Sequence, residues 1–446
     1  MNVEITKPCH TWKRQGKCWR GANCKFSHSF EPNTDGCDAD GRKIFYPTGT
    51  ARTSAQLSRN ISAAIATVSL SSLEAYDAEN FITITGFKYV ASYNILNGKS
   101  ITIMVPGSPP KWSPPALPIT LQPGIGSKLT DKEAYQTQVS MNPLFAALSV
   151  SIAHTDIHTL PSTDLIIDRN VLRKLLDFVG GKVDQPWELN IEMVRNTMVF
   201  EKNEQGVARY SSQGYGIPFE RAFLRYEDDS LKGTSGHYRM AAYEIGGMKW
   251  MVRFEVDGCY DVRSTKDLTG SFQSLDLDQT RYGLQALNIN PNVKESSYQG
   301  IQIVKSEIEM CTLPMIEVKT AKVGKSPTRA KWMPQLYFSQ VKHLIIANHN
   351  GGVFEKSYIT ESDKSEDMRK WEGANQGKLQ KLLQLISAIK NTVNKTEGRK
   401  AVVLCKKNEK KDEILILEQK GKGLKLEEGV IEQLWGPPVT NVIGSF

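Results

Sequence analysis

Cys9, Cys18, Cys24 and His28 follow one another with eight, five and three residues between them, and this spacing restricts the chain's folding more than any other feature. Three thiolates and one imidazole complete the closed tetrahedral set that structural zinc (Zn2+) requires. The stretch around them, residues 5–30, is too short to fold on a core of its own, so the metal must supply most of its folding free energy. Gly16 and Gly21 lie among the ligands, where tight loops need permissive backbone. The same stretch carries Lys7, Lys13, Arg14, Lys17, Arg20 and Lys25 against Glu4, with Trp12, Trp19 and Phe26 interleaved. Cations that neutralise phosphates beside rings that stack on unpaired bases are how proteins grip single-stranded RNA. Trp19, Phe26, Lys25 and Arg20 are the candidate contacts. The alternative is a segment whose aromatics cover the zinc and which docks on protein.

With the aromatic of CKFSH between its last two ligands, this unit resembles a CCCH-type zinc finger. It is a small part of 446 residues, a length that exceeds one ordinary core. The hydrophobic share of 40% is that of a globular chain, and no apolar run is long enough to span a membrane. The start, MNVEITKPCHTWKRQGK, has no apolar stretch of the secretory kind, which points to an intracellular protein, nuclear and/or cytoplasmic. In such a protein the three clustered Cys mean metal rather than disulfide. The net charge of +8 permits nucleic-acid binding without requiring it. The expected organisation is a finger at 1–30, a linker at 31–78 rich in Ser, Thr, Asn and Asp, and one large domain at 79–446.

That domain reads as α+β, with a mixed central β-sheet flanked by helices. Val171, Leu172, Leu175, Leu176 and Phe178 form a helical stripe ended by Gly180. WELNIEMVRNTMVFEK alternates as a strand, with Trp187, Leu189, Ile191 and Met193 on one face. MAAYEIGGMKWMVRFEVDG predicts a hairpin turning at Gly246–Gly247. GKLQKLLQLISAIKNTV is an amphipathic helix, and AVVLCKK with EILILEQ predicts a final hairpin. The Pro-rich stretch 106–123 is expected to lie extended over the surface.

Period two along KWMVRFEVDG places Glu255 and Asp257 on one face of a strand, and along MIEVKT it places Glu317 beside Lys319. Carboxylates from two strands hold hard divalent cations, Mg2+ or Mn2+, and a nearby Lys orients the attacking water. Each pair taken alone is an ordinary solvated strand face. Together they resemble the PD-(D/E)XK nuclease core and, more narrowly, the decapping and exoribonuclease (DXO-like) family. The family's other motifs find counterparts in order: Arg169 opening a helix before a Trp-containing strand, GYGIPFE ending at Glu220, and Gln335 in KWMPQLYF. The narrower likeness is to a fungal-type branch with SYN, VPGSPP and VRFEVDG segments. The resemblance implies RNA 5′-end processing. Glu220, Glu255, Asp257 and Glu317 would hold the catalytic metal, Lys319 and Gln335 would position water and substrate, and Arg169 would grip a phosphate.

Other candidates read as structural. His154 and His158 have no third ligand near them, and His343 and His349 flank an apolar strand. Cys259, Cys311 and Cys405 read as small core residues and Cys37 as a free thiol. The expected partner is RNA at its 5′ end, with no membrane and room for a protein partner. A metal-dependent hydrolase tethered to RNA by its finger is set against a non-catalytic RNA-binding or scaffold protein on a repurposed nuclease fold. Retention of the four acids and Lys319 favours the first.

Overall fold

The computed structural model describes residues 61–74, 81–96, 101–124, 127–129, 141–152, 160–184, 186–202, 208–210, 214–231, 234–260, 296–307, 309–406, 412–419, 423–424 and 426–437. The chain divides into two units, Met1–Thr50 and Ala51–Phe446, and every described residue belongs to the second. Cys9, Cys18, Cys24, His28, Trp19, Arg20, Lys25, Phe26, Cys37, His154 and His158 lie outside the described residues.

In chain order the first elements are β1 (Ile61–Ser69), β2 (Ile84–Leu96), β3 (Thr102–Val105), β4 (Lys111–Trp112) and α1 (Asn142–Ile152). Then come β5 (Leu165–Asp168), α2 (Arg169–Val179), β6 (Trp187–Val194), β7 (Thr197–Lys202), α3 (Gly216–Phe223) and β8 (Leu224–Arg225). The middle of the chain forms β9 (Gly236–Ile245), β10 (Met248–Val256), β11 (Gly258–Cys259), β12 (Ser296–Tyr298), β13 (Ile301–Lys305) and β14 (Met315–Lys322). The last part gives α4 (Arg329–Ser339), β15 (His343–His349), β16 (Ile359–Asp363), α5 (Ser365–Ala374), α6 (Gln376–Val393), β17 (Lys400–Cys405), β18 (Glu413–Gln419) and α7 (Glu428–Trp435).

Twelve strands make the main sheet, in the order β1-β18-β17-β6-β7-β5-β10-β9-β2-β3-β13-β12. It is mixed, because β5 runs parallel to both β7 and β10 while the hairpins around them are antiparallel. A second sheet of six strands runs β8-β4-β11-β14-β15-β16. Period two explains how the central strands of the main sheet serve two cores at once. Leu165, Ile167, Met198, Phe200, Ala241, Tyr243, Trp250 and Val252 join one buried cluster together with side chains of α2, α4 and α6. Their neighbours Ile166, Val199, Met240 and Met251 join another, with α1 and the end of α7. Both faces are therefore covered, and Met251 and Arg253 are buried where alternation alone reads a polar face. The α+β class with a mixed sheet flanked by helices is as expected.

The two clearest helices and both expected hairpins are present. The α2 stripe of Val171, Leu172, Leu175, Leu176 and Phe178 is buried, and Gly180 caps the helix by donating its N–H to Leu176. Leu379, Leu382, Leu385, Ile386, Ile389 and Val393 bury one side of α6. β9 and β10 pair directly through Ile245 and Met248, leaving Gly246 and Gly247 as a two-residue loop with φ of +57° and +74°. Positive φ at both loop residues is the twist-compatible hairpin geometry, and glycine adopts it without strain.

Three expectations are corrected. The stretch 31–78, read as linker, contains β1, which pairs with β18 at the edge of the main sheet. Its sequence ISAAIATVS carries small and hydroxylated residues with little apolar contrast, so periodicity does not reveal it. WELNIEMVRNTMVFEK is a hairpin rather than one strand: Val194 pairs with Thr197 and the chain turns at Arg195, whose φ is +53°. The Pro-rich stretch does not simply lie over the surface, since Gly107, Pro109, Pro110 and Trp112 are buried. Ser92 Oγ donates to Gly107 O at 2.9 Å, Asn94 Oδ1 accepts the Ser108 N–H at 2.7 Å, and Asn94 Nδ2 returns a bond to Ser108 O at 3.0 Å. A side chain at position 107 would put its Cβ 2.4 Å from Asn94 Oδ1 and from the Tyr93 carbonyl carbon, so only glycine fits there.

A buried ion pair joins the parallel strands at the middle of the sheet, where β5 ends. Arg253 on β10 donates from Nε to Asp168 Oδ1 at 2.6 Å and from Nη2 to Oδ2 at 2.9 Å, while Lys202 on β7 stands 3.2 Å from Oδ2. Burial pushes the Asp168 carboxyl up, but the charges of Arg253 and Lys202 outweigh it and hold the group well below its ordinary value. Folding therefore favours the carboxylate. This contribution is complete above the ordinary carboxylate range and is lost as pH falls below it. Arg253→Met strands a buried charge and is expected to lower the unfolding free energy by about 3–5 kcal/mol, read from urea denaturation at pH 7. Asp168→Asn is expected to flatten the loss of stability between about pH 4 and pH 2. A change near zero for Arg253→Met contradicts the structural weight given to the pair.

Candidate active site

The last residues of β10 hand the chain from the first sheet to the second. Val256 closes the strand, Asp257 follows, and β11 pairs with β14 of the second sheet. Gly258 permits the crossing, because a Cβ there would stand 2.8 Å from Leu224 Cδ2 and 2.9 Å from the Pro110 carbonyl oxygen. Asp257 is thereby aimed at β14, and its Oδ2 accepts the Val318 N–H at 2.8 Å. Glu317 and Lys319 flank that amide and, two residues apart on a strand, share a face as their spacing predicts.

Glu317 is the centre of the cluster, with a side chain only 2% exposed. Its Oε1 accepts from both Lys319 Nζ and Gln335 Nε2, the latter on α4. Arg169 Nη1 stands 3.6 Å from Glu317 Oε2. Lys319 Nζ is also 3.9 Å from Asp257 Oδ2 and donates to the Val318 carbonyl at 3.1 Å. Burial, reinforced by the charges of Glu317 and Glu220, pushes the Asp257 carboxyl well up despite Lys319. Burial acts the same way on Glu317, yet the ammonium of Lys319 and the guanidinium of Arg169 outweigh it and hold that carboxyl below its usual range. Two adjacent carboxyls with opposite shifts share a proton between them. Lys319 stays firmly protonated, since Glu317 and Asp257 outweigh the effect of its own burial.

Glu220 approaches from α3, which buries Phe219 and Phe223 and leaves Glu220 half-buried. The start of that helix packs on β14, where a Cβ on Gly216 would lie 3.6 Å from Thr320 Oγ1. The structure thus gathers Glu220, Asp257, Glu317, Lys319, Gln335 and Arg169. Glu255 differs. Its side chain is exposed, its Oε1 lies 3.2 Å from where a Cβ on Gly236 would be, and its charge adds to burial in raising the Tyr226 phenol. Glu255 meets the cluster through its backbone, whose carbonyl accepts from Arg169 Nη2 at 3.1 Å.

Arg169 itself departs from expectation. Its guanidinium is buried and its donors are spent inside the protein, on Glu255 O and on Ser339 Oγ at 3.2 Å, with the Phe254 ring 5.5 Å away. It holds Glu317 and the end of α4 rather than presenting an open fork to a phosphate. Ser339, which receives one of its bonds and donates to the Gln335 carbonyl at 2.7 Å, escaped the sequence reading. The available signal was its position four residues after Gln335 on the same helix face.

The donor chemistry suits a hard divalent cation. Glu220, Asp257 and Glu317 crowd negative charge into a buried space, and Asp257 gives way by favouring its neutral form. As the side chains stand, no three Asp, Glu, His or Cys among the described residues converge in one coordination sphere. Lys319 lies between Glu317 and Asp257 instead. Elsewhere, His343 stacks on Tyr260 with ring centroids 6.2 Å apart, and His349 packs on Tyr215 at 4.2 Å. Cys259 and Cys405 are buried as expected, whereas Cys311 is half-buried.

The fold is shared with solved Rai1 structures. Rai1 of Scheffersomyces stipitis, solved in complex with (3'-NADP)+ and calcium ion, matches with a TM-score of 0.53 and 13% identity, covering 83% of this chain and 99% of that one. Rai1 of Candida albicans, solved in complex with pU5-Mn2+, matches with a TM-score of 0.51 and 14% identity over 83% of this chain and 99% of that one. At such identities the likeness establishes the fold alone. No curated protein matches the chain. Residues 6–30 match the zinc finger of C-x8-C-x5-C-x3-H type, in line with the ligand spacing. Residues 67–435, most of the chain, match the family described as a domain of unknown function, DUF8563, and the chain belongs to that family.

Proposed function

We propose that the large domain is a divalent-metal-dependent hydrolase of RNA 5′ ends, of the decapping, pyrophosphohydrolase or 5′→3′ exoribonuclease type, and that the finger holds RNA. One observation carries the reading: the pairing of the half-buried Asp257 with the buried Glu317, contacted by Lys319, where the two sheets meet. The shared fold adds support, because the two Rai1 proteins were solved with a dinucleotide and calcium and with pU5 and manganese.

Glu220, Asp257 and Glu317 would hold Mg2+ or Mn2+, while Glu255, two residues before Asp257, meets the cluster through its backbone carbonyl. When bound, such an ion polarises a phosphate oxygen and lowers the pKa of water. The protein's own groups do the rest. Asp257 gives up the proton it shares with Glu317 as its site becomes cationic. Lys319 keeps its proton and holds the attacking oxygen beside Glu317. Gln335 fixes the orientation of the Glu317 carboxylate by its amide, and Arg169 fixes the same carboxylate from the other oxygen. Arg169 is therefore a positioning residue in this reading.

A second reading, RNA binding without hydrolysis, also has an observation on its side. Lys319 and Gln335 already satisfy Glu317, and among the described residues no three acids converge. One assay separates the two. The full chain is incubated with Mg2+ or Mn2+ and with 5′-triphosphate, NAD-capped or 5′-monophosphate RNA. Product is expected from at least one of the three. Glu255→Ala/Asp257→Ala, Glu317→Gln and Lys319→Met should each lower the rate by roughly 100-fold or more. Wild-type turnover no higher than that of the double variant, with RNA still retained, establishes the second reading.

For the finger, metal analysis is expected to find about one zinc per chain, and Cys18→Ser should lose it. The same variant should weaken single-stranded RNA binding measured by fluorescence anisotropy while leaving 5′-end hydrolysis at saturating RNA unchanged. Zinc loss without any change in RNA affinity assigns the finger to protein contact instead.

A further inference from the structure

Cys259 and Cys311 take no part in the acid site, yet the fold places them against each other. Cys259 sits in β11, fully buried, its N–H bound to the Pro110 carbonyl at 2.9 Å and its backbone paired with Met315. Cys311 lies in the stretch leading into β14 and is half-exposed. The Cys259 thiol donates a hydrogen bond to the Cys311 sulfur, which also accepts the Leu313 N–H. Arg239 is anchored on the Cys311 carbonyl at 2.6 Å, and its charge and that of Lys111 both act on the Cys311 sulfur.

A half-buried sulfur ringed by donors and cations, touching a second sulfur that solvent does not reach, is the arrangement of a reactive cysteine with its resolving partner. We propose that Cys311 and Cys259 form an oxidisable dithiol, a modification site for hydroperoxides, in which Cys311 is attacked first and Cys259 closes the disulfide. The Cys259 hydrogen bond, assisted by Leu313 and the two cations, brings the Cys311 thiol down to about 6 against the opposing effect of burial. Cys311 is thus the sulfur of the pair set up to lose its proton first.

The chemistry balances with a hydroperoxide as the oxidant. The Cys311 thiolate attacks the terminal peroxide oxygen, an S–O bond forms, the O–O bond breaks, and the departing alkoxide or hydroxide takes the proton that Cys311 released. The Cys259 sulfur then attacks the sulfenic sulfur, the S–S bond forms, the S–O bond breaks, and hydroxide leaves with the Cys259 proton as water. Two thiols lose two electrons and two protons, and one hydroperoxide accepts them. Cys259 follows Asp257 by two residues and Cys311 precedes Glu317 by six, so the disulfide ties together the two segments that carry the central acids. The inference goes beyond the hydrolase reading and does not depend on it.

The test uses the zinc-loaded full chain, treated with about one equivalent of hydrogen peroxide, blocked with N-ethylmaleimide, digested without reduction and mapped by mass spectrometry. A cross-linked peptide pair joining Cys259 to Cys311, lighter by two hydrogens than the separate peptides, is expected. In Cys259→Ala the sulfenic acid at Cys311 should persist and be captured by dimedone. In the untreated protein at pH 7, iodoacetamide should modify Cys311 roughly tenfold faster than in the urea-unfolded chain. The proposal is overturned if Cys311 pairs with a different cysteine, stays a thiol while others oxidise, or alkylates no faster folded than unfolded.

Discussion

Asp168 and Arg169 are consecutive, and the junction between them organises the domain. Asp168 ends β5 and is held by Arg253 and Lys202 from the strands on either side. Arg169 opens α2 and reaches Ser339, the Glu255 carbonyl and Glu317. One peptide bond therefore couples the charge balance of the main sheet to the position of the acid cluster. A buried ion pair adds little to stability over a well-packed apolar substitute, but removing either partner strands a charge. Its effect here is to fix register: β5 and β10 are locked at the point where β10 delivers Asp257 and β11 into the second sheet.

The same principle extends along the neighbouring strands. Arg253 also donates to the Tyr93 hydroxyl at 3.2 Å, and Tyr93 belongs to the SYN segment whose Ser92 and Asn94 grip the loop at Gly107. Asn94 Oδ1 lies 3.1 Å from His237 Nδ1, and Arg239 Nε donates to His237 Nε2 at 3.3 Å. Burial and the charge of Arg239 keep His237 neutral, as an acceptor for that guanidinium must be. A polar chain thus runs from β5 through β10 and β2 to β9, ending at the Cys311 carbonyl that Arg239 holds. Such networks favour one arrangement when their members are paired, although here the buried Arg239 Nη1 has no hydrogen-bond partner among the described residues.

What the amino-acid sequence disclosed follows from the physics of each signal. Glu317 with Lys319 was legible because period two is rigid within a strand, and the β9–β10 hairpin because two glycines at positive φ leave few alternatives. The CCCH-type finger was legible because coordination demands fixed residue types at restricted spacings. β1 was hidden by its lack of apolar contrast. The fate of Arg169 was hidden because nothing local distinguishes an Arg that meets a phosphate from one that meets a buried carboxylate across two elements. Glu255 illustrates the same limit. Its spacing to Asp257 implies a shared face, but β10 ends at Val256, and beyond a strand end alternation no longer dictates where a side chain points.

The electrostatics of the cluster explain why these acids tolerate burial at all. Glu317 is matched by Lys319 and Arg169, and Asp257, lacking a cation of its own at bonding distance, takes the proton. Arg173, one turn after Arg169 on α2, lies within reach of both Arg169 and Glu317 and spends a donor on the Lys331 carbonyl at 3.0 Å. Burial and the charge of Arg169 lower its own affinity for a proton, the price of concentrating guanidinium groups around one carboxylate. The arrangement balances buried charge without an ion by protonating one acid. A cation entering beside Asp257 would displace that proton and relieve the repulsion from Glu220.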